Sequence, residues 1–135
     1  MLELNNVSKS FPDGDEDLQV LADVNFTLEA GDTAALTGNS GSGKSTLLQI
    51  AAGLDTPDHG VVRIAGQRSS DLRESEMAGL RRRDLGFVFQ QFNLLPGLNV
   101  RDNVLFQRRL NRLPDSDDWL TTLIEGLELG NLLDR

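Results

Sequence analysis

No cysteine occurs in the 135 residues, so the chain has neither a disulfide framework nor a thiolate metal site. Lysine is almost absent: there are two, Lys9 and Lys44, against eleven arginines. Positive charge is in deficit overall. The formal net charge is −8, which argues against nonspecific binding of nucleic acid through a basic face. No apolar run approaches the ~18 residues of a membrane span. The N-terminus, Met1-Leu2-Glu3-Leu4, lacks the basic and apolar parts of a secretory signal. These absences predict a soluble, cytoplasmic chain whose membrane role, if any, depends on a partner with the spans. No internal repeat or low-complexity stretch is found, and the length suits one domain. The single histidine, His59, falls in Asp55-Thr56-Pro57-Asp58-His59-Gly60 and reads as a solvated turn residue.

What is present is concentrated in Gly38-Asn39-Ser40-Gly41-Ser42-Gly43-Lys44-Ser45-Thr46, which fits G-x-x-x-x-G-K-[ST], the phosphate-binding P-loop. Small residues let consecutive backbone N–H groups curl toward an oxyanion. A helix starting near Gly43 points its positive end at the same place. Lys44 then reaches the terminal phosphates as a compact charge, and the Ser45 hydroxyl is placed to ligate Mg²⁺. An ammonium here is informative in a chain that elsewhere uses arginine.

The segments around this loop follow from periodicity. Leu2 and Leu4 alternate with polar residues as a short strand, and Val7 to Phe11 runs on into the acidic turn of Pro12, Asp13, Gly14, Asp15, Glu16 and Asp17. Those alternate carboxylates do not make a calcium loop, because Leu18 and Val24 occupy its glycine and glutamate positions. Residues 18–30 carry a period of two, with Val24, Phe26 and Leu28 on one face, and should pair antiparallel with the first strand. Residues 33–37 are small and apolar, as in a strand buried on both faces. A helix over 43–52 follows the loop, with Gly53 as its terminator. Val61, Val62 and Ile64 form another strand. Asp71 with Glu74 suggests a cap for a short helix ending at Arg81-Arg82-Arg83, whose charges compensate its dipole. Leu85, Phe87 and Phe89 alternate as a strand. Asn99 caps a helix over 100–112, and Ser116 caps another with Trp119, Leu120, Leu123, Ile124 and Leu127 on its buried stripe.

The hairpin, the P-loop and the run Gly86-Phe87-Val88-Phe89-Gln90-Gln91-Phe92-Asn93-Leu94-Leu95-Pro96 together closely resemble the ATP-binding cassette (ABC) transporter ATPases. The likeness is nearest to the group serving lipoprotein release, macrolide export and cell-division complexes. The resemblance implies an α/β fold of the P-loop NTPase class, with a small antiparallel N-terminal sheet, a truncated parallel core and the start of a helical subdomain. It divides the chain into a sheet and P-loop core over 1–91 and a Q-loop connection with the start of the helical subdomain over 92–135. ATP and Mg²⁺ are the implied ligands, and the implied partners are transmembrane permease subunits and a second ATPase subunit. The chain would then sit peripherally at the inner face of the cell membrane.

By the same resemblance, Phe11 occupies the place of the aromatic that stacks on adenine, although plain core of the hairpin is the competing reading. Gln90 matches the Q-loop glutamine, a catalytic residue that contacts Mg²⁺ and the attacking water. The family's Leu-Ser-Gly-Gly-Gln signature, its acidic Mg²⁺ anchor, its glutamate base and its switch histidine have no counterpart in 1–135. The expectation is therefore the N-terminal portion of a cassette, either a fragment or a natural half-domain, that binds nucleotide without the groups for turnover. The alternatives are a non-catalytic nucleotide-binding module and a different P-loop NTPase, and the hairpin ahead of the loop counts against a small kinase.

Overall fold

Alternating apolar residues at both ends of the chain's first 28 positions produce one long hairpin rather than a short strand and a separate run. In the computed structural model, which describes residues 1–135, β1 (Leu2–Asp13) turns into β2 (Glu16–Leu28). Leu2 faces Leu28 and Asp13 faces Glu16, with irregularities of register between Leu4 and Ser10. Asn6 and Asp23 take positive φ there, the conformation that Asn and Asp tolerate best among residues with a Cβ. Their displaced N–H groups are not lost: Asn6 donates to Asn25 Oδ1 at 2.9 Å and Asp23 to the Ser8 hydroxyl at 2.9 Å. Side chains thus carry β1 through its bulges as a single strand.

β3 (His59–Ile64) pairs antiparallel with the other edge of β1, and β4 (Gln67–Arg68) folds back on β3, giving the order β2-β1-β3-β4. His59 is thus the exposed first residue of a strand, opposite Ser8, rather than a turn residue. α1 (Lys44–Ala51) and α2 (Glu74–Asp84) join the sheet through one cluster. Leu4, Val7, Val62 and Ile64 of the sheet meet Ile50 of α1 and Leu80 of α2 there. Arg81 ties the helices further by donating to the Gly53 carbonyl.

Two strands expected from pattern alone do not join the sheet. Residues 33–37 are exposed and irregular; Ala34, Ala35 and Leu36 line an apolar groove of about 190 Å³ with Leu47 and Leu48 of α1. Residues 85–89 are likewise outside it, with Val88 97% exposed. An apolar run becomes a strand only when a neighbour takes up its N–H and C=O groups in register. The sheet formed by 1–135 is antiparallel around β1, in the order β2-β1-β3-β4, and includes neither segment. Strand, loop, helix around the P-loop is accordingly reduced to loop and helix.

The helix caps also differ in detail. α2 begins at Glu74 because Glu76 reaches back to the Arg73 N–H at 2.8 Å and pairs with its guanidinium, while Asp71 lies in the short 3₁₀ turn Ser69–Asp71, where its carboxylate accepts from the Ser70 hydroxyl and pairs with Arg68. Leu4 through Leu80 belong to a first compact unit, Met1–Val88; Phe89–Arg135 form a second. In the second, Asn99 caps α3 (Val100–Leu110) by accepting from the Asp102 N–H at 2.8 Å, as expected. The next cap is Asp117, not Ser116: its carboxylate accepts from the Leu120 N–H at 2.7 Å and pairs with Arg108. α4 (Asp118–Gly126) follows. Both interactions hold the Asp117 carboxyl below the usual carboxylate range, the backbone hydrogen bond most, and a serine could supply only the first. Leu105, Leu120 and Leu133 are buried, whereas Leu127 and Trp119 are exposed and off the expected buried stripe, Trp119 lying under the Arg108 guanidinium. The Val100 and Arg101 N–H groups donate to the Arg135 and Leu133 carbonyls, so the last residues close the start of α3.

Candidate phosphate-binding site

The loop that enters α1 is shaped by one close approach. Gly43, the cap residue, has φ +82°, and a Cβ there would lie 2.9 Å from the Val20 carbonyl oxygen and 2.9 Å from Val20 Cγ1. Only glycine lets the loop seat on β2 and turn into the helix at that point. The first intrahelical bond runs from the Leu47 N–H to the Gly43 carbonyl at 2.9 Å. The N–H groups of Lys44, Ser45 and Thr46 therefore lack a helical acceptor. A glycine cap has no side chain to satisfy them, and α1 has no acidic residue in its first turn. α2, α3 and α4 each have at least one. The positive end of α1 is thus left to whatever anion comes from outside.

Lys44 stands at this end. Its ammonium donates back to the loop, to the Gly38 carbonyl at 3.0 Å and the Asn39 carbonyl at 2.6 Å, and lies 3.5 Å from the Ser42 hydroxyl. The Ser42 N–H closes on the Asn39 carbonyl at 3.3 Å. No carboxylate pairs with Lys44, although the chain carries 21 acidic residues. Neutral carbonyls orient the ammonium without cancelling its charge. Ser40, Gly41 and Ser45 are exposed, and the Ser45 hydroxyl makes no hydrogen bond inside the protein. Residues 38–46 therefore bring together the N–H groups at the start of α1, one cation and the open Ser45 hydroxyl.

Phe11 lies near the tip of the hairpin, opposite Leu18 and 39% exposed, so it is not hairpin core. The Lys9 ammonium sits 5.3 Å from its ring centroid. Gln90 belongs to the second unit and is exposed in a bend there. Two contributors went unread in the sequence. Lys9 is clasped by the turn after α1, and the only advance signal was the scarcity of lysine. Asn103 stitches the connection before α3, its Oδ1 accepting from the Leu95 N–H at 2.7 Å and its Nδ2 donating to the Leu98 carbonyl at 3.0 Å.

Over 118 residues the chain is 48% identical to the lipoprotein-releasing system ATP-binding protein LolD 1 of Rhodopirellula baltica, covering 87% of this chain and 52% of that one. It is 45% identical over 104 residues to the macrolide export ATP-binding/permease protein MacB of Burkholderia thailandensis, covering 77% of this chain and 16% of that one. The whole chain superimposes, with a TM-score of 0.87 and 33% identity, on 61% of a solved ATP-binding cassette in a dimeric, post-hydrolysis state bound to ADP and Pi. The chain thus spans about half the length of LolD 1 and a smaller part of MacB. Residues 21–135 match the family described as ABC transporter, and the chain belongs to that family.

Proposed function

We propose that this chain holds the triphosphate of Mg·ATP and, within the whole protein, couples its binding and hydrolysis to export or extraction by transmembrane permease subunits. The observation that carries the reading is Lys44: a cation with no carboxylate partner, oriented by loop carbonyls over a helix end whose first N–H groups have no acceptor. The backbone N–H groups of 43–46 and Lys44 bind the phosphates. Mg²⁺ fits the residues present, because the Ser45 hydroxyl is a hard oxygen donor, open to solvent and unbonded. When bound, the ion neutralises charge that develops on the transferred group. Gln90 is the second proposed ligand, and its amide orients the attacking water without adding charge. Phe11 offers an exposed ring face for adenine to stack on.

The partners proposed are permease subunits and a second ATPase subunit. They follow from relatives whose names speak of lipoprotein release and of an ATP-binding/permease protein, and from a cassette described as dimeric. No helix of this chain is long and apolar enough to cross a membrane, so a peripheral place at the inner face of the membrane would depend on those subunits. Nucleic acid is not a proposed ligand, given the net charge of −8.

The test is Lys44→Ala in the full chain, titrated with a fluorescent ATP analogue while circular dichroism follows the fold. Losing a charge-assisted contact to phosphate should weaken binding about 10- to 100-fold with an unchanged spectrum. Equal affinity in a folded variant refutes the assignment.

A further inference from the structure

Lys9 makes more directed contacts than a surface cation needs. Its ammonium donates to the Thr56 carbonyl at 2.8 Å and to Asp55 Oδ1 at 3.3 Å, and lies 3.5 Å from Asp58 Oδ1. Its side chain is 12% exposed. On its remaining side is the Phe11 ring, 5.3 Å away at the centroid. The flanking residues reinforce the clasp: the Ser10 N–H donates to Asp58 Oδ2 at 2.7 Å, and the Asp58 N–H donates to the Ser8 carbonyl at 3.0 Å. Three successive residues of β1 are therefore sewn to the turn at 55–58. That turn leaves the C-terminal end of α1, and the phosphate cradle is at the N-terminal end, about 12 Å away for eight residues at ~1.5 Å each.

The residue type fits the task. Three oxygen acceptors converge on a group with three donors and no preferred plane, which suits an ammonium better than a guanidinium. Most other cationic positions in this chain are arginine. We propose that Lys9 is a positioning residue for nucleotide: it holds the Phe11 ring in a fixed place relative to α1, so that adenine platform and phosphate cradle match one ligand. The inference rests on the reading of Phe11 as the adenine platform. Lys9 touches neither base nor phosphate in this scheme. It acts by holding the ring on one face and leaving the other to the base.

A structural role alone would lower affinity for every ligand of the loop, whereas a positioning role acts only through the base. The experiment therefore compares ATP with inorganic tripolyphosphate, which has the phosphates and no base. Isothermal titrations use the full chain and its Phe11→Ala, Lys9→Met and Lys9→Arg forms, all well below their unfolding transitions. Phe11→Ala should weaken ATP about 5- to 150-fold and tripolyphosphate not at all. Lys9→Met should weaken ATP about 2- to 5-fold, again without change for tripolyphosphate, and Lys9→Arg should recover part of the loss because the charge over the ring is kept. If Phe11→Ala acts on ATP alone and Lys9→Met changes neither ligand, the Lys9 proposal is overturned while the platform stands. Equal losses for both ligands in Lys9→Met reduce Lys9 to a structural clasp and also overturn it. If Phe11→Ala does not separate the ligands, the platform reading fails and takes the inference with it. Should Lys9→Met not fold, Asp55→Asn, which loosens the clasp and keeps Lys9, is judged by the same comparison.

Discussion

Gly43→Ala and Gly41→Ala form a matched pair, because both residues have a left-handed backbone and only one has a neighbour. Their φ values are +82° and +78°. A side chain in that conformation costs roughly 1–2 kcal/mol at either site. At Gly41 a new Cβ meets nothing within 4 Å, so the backbone term is all there is. At Gly43 it would stand 2.9 Å from the Val20 carbonyl oxygen, 2.9 Å from Val20 Cγ1 and 3.1 Å from Leu21 Cδ2. A rotamer change could move the methyls, but the carbonyl is backbone of β2, at an irregularity between Gln19 and Leu21, and moves only with the strand. Overpacking of this kind adds about 1–3 kcal/mol, for a total of about 2–5 kcal/mol. Stiffening of the unfolded chain by alanine offsets part of each value and cancels in the comparison.

Urea unfolding followed by circular dichroism reads the difference directly. With a slope of about 2 kcal/mol/M, Gly41→Ala should lower the midpoint by roughly 0.5–1 M and Gly43→Ala by roughly 1–2.5 M. Equal shifts would refute the reasoning, since they would mean that the loop does not seat on β2 as described. A Gly43→Ala form that fails to fold beside a folded Gly41→Ala form lies on the expected side.

Asn103→Ala should strip the Leu95 N–H of its only acceptor and cost about 1–3 kcal/mol, with the 95–99 connection losing amide-exchange protection while the core of α4 keeps its own. Asp58 tests the clasp by pH. Its folded carboxyl is held below the usual carboxylate range, chiefly by the Ser10 N–H and also by Lys9, so its contribution is complete above about pH 5 and is lost as the pH falls through the lowered value. The stability gap between the protein and Asp58→Asn, measured as thermal midpoints from pH 7 to pH 2.5, should be constant above about pH 5 and narrow below it. A gap that stays constant to pH 2.5 contradicts the clasp.

What could be read from sequence was whatever a few neighbouring residues decide. The hairpin followed from period-two alternation around an acidic turn, and the start of α1 followed from Gly43 and Lys44, because cap geometry is settled within one turn. Asn99 was legible for the same reason. Ser116 and Asp117 were adjacent candidates for one cap, and Arg108, a remote partner, favours the carboxylate. The same holds at α2, where Glu76 selects Arg73 as the boundary over the better-looking Asp71. The runs at 33–37 and 85–89 failed more completely. Their composition suits a buried parallel strand, but the hydrogen bonds of a strand belong to its neighbour, and the sheet of 1–135 turns on β1 instead.

The two lysines mark where composition stops informing and geometry takes over. Scarcity singled out both, since either could have been arginine on an ordinary surface. Both point their ammonium at carbonyls of a nearby turn, Lys9 at Thr56 and Lys44 at Gly38 and Asn39. The difference is in the carboxylates. Lys9 has Asp55 and Asp58 within 3.5 Å, so its charge is spent inside the fold. Lys44 has none, and the helix end beside it has no acidic residue either. In a chain with an excess of eight negative charges, a cation that loop carbonyls hold beside an acid-free helix end, clear of every carboxylate, suits an anion from outside. In the proposed reading Lys44 serves the ligand's phosphates, and Lys9 serves the frame that holds the ligand's other end.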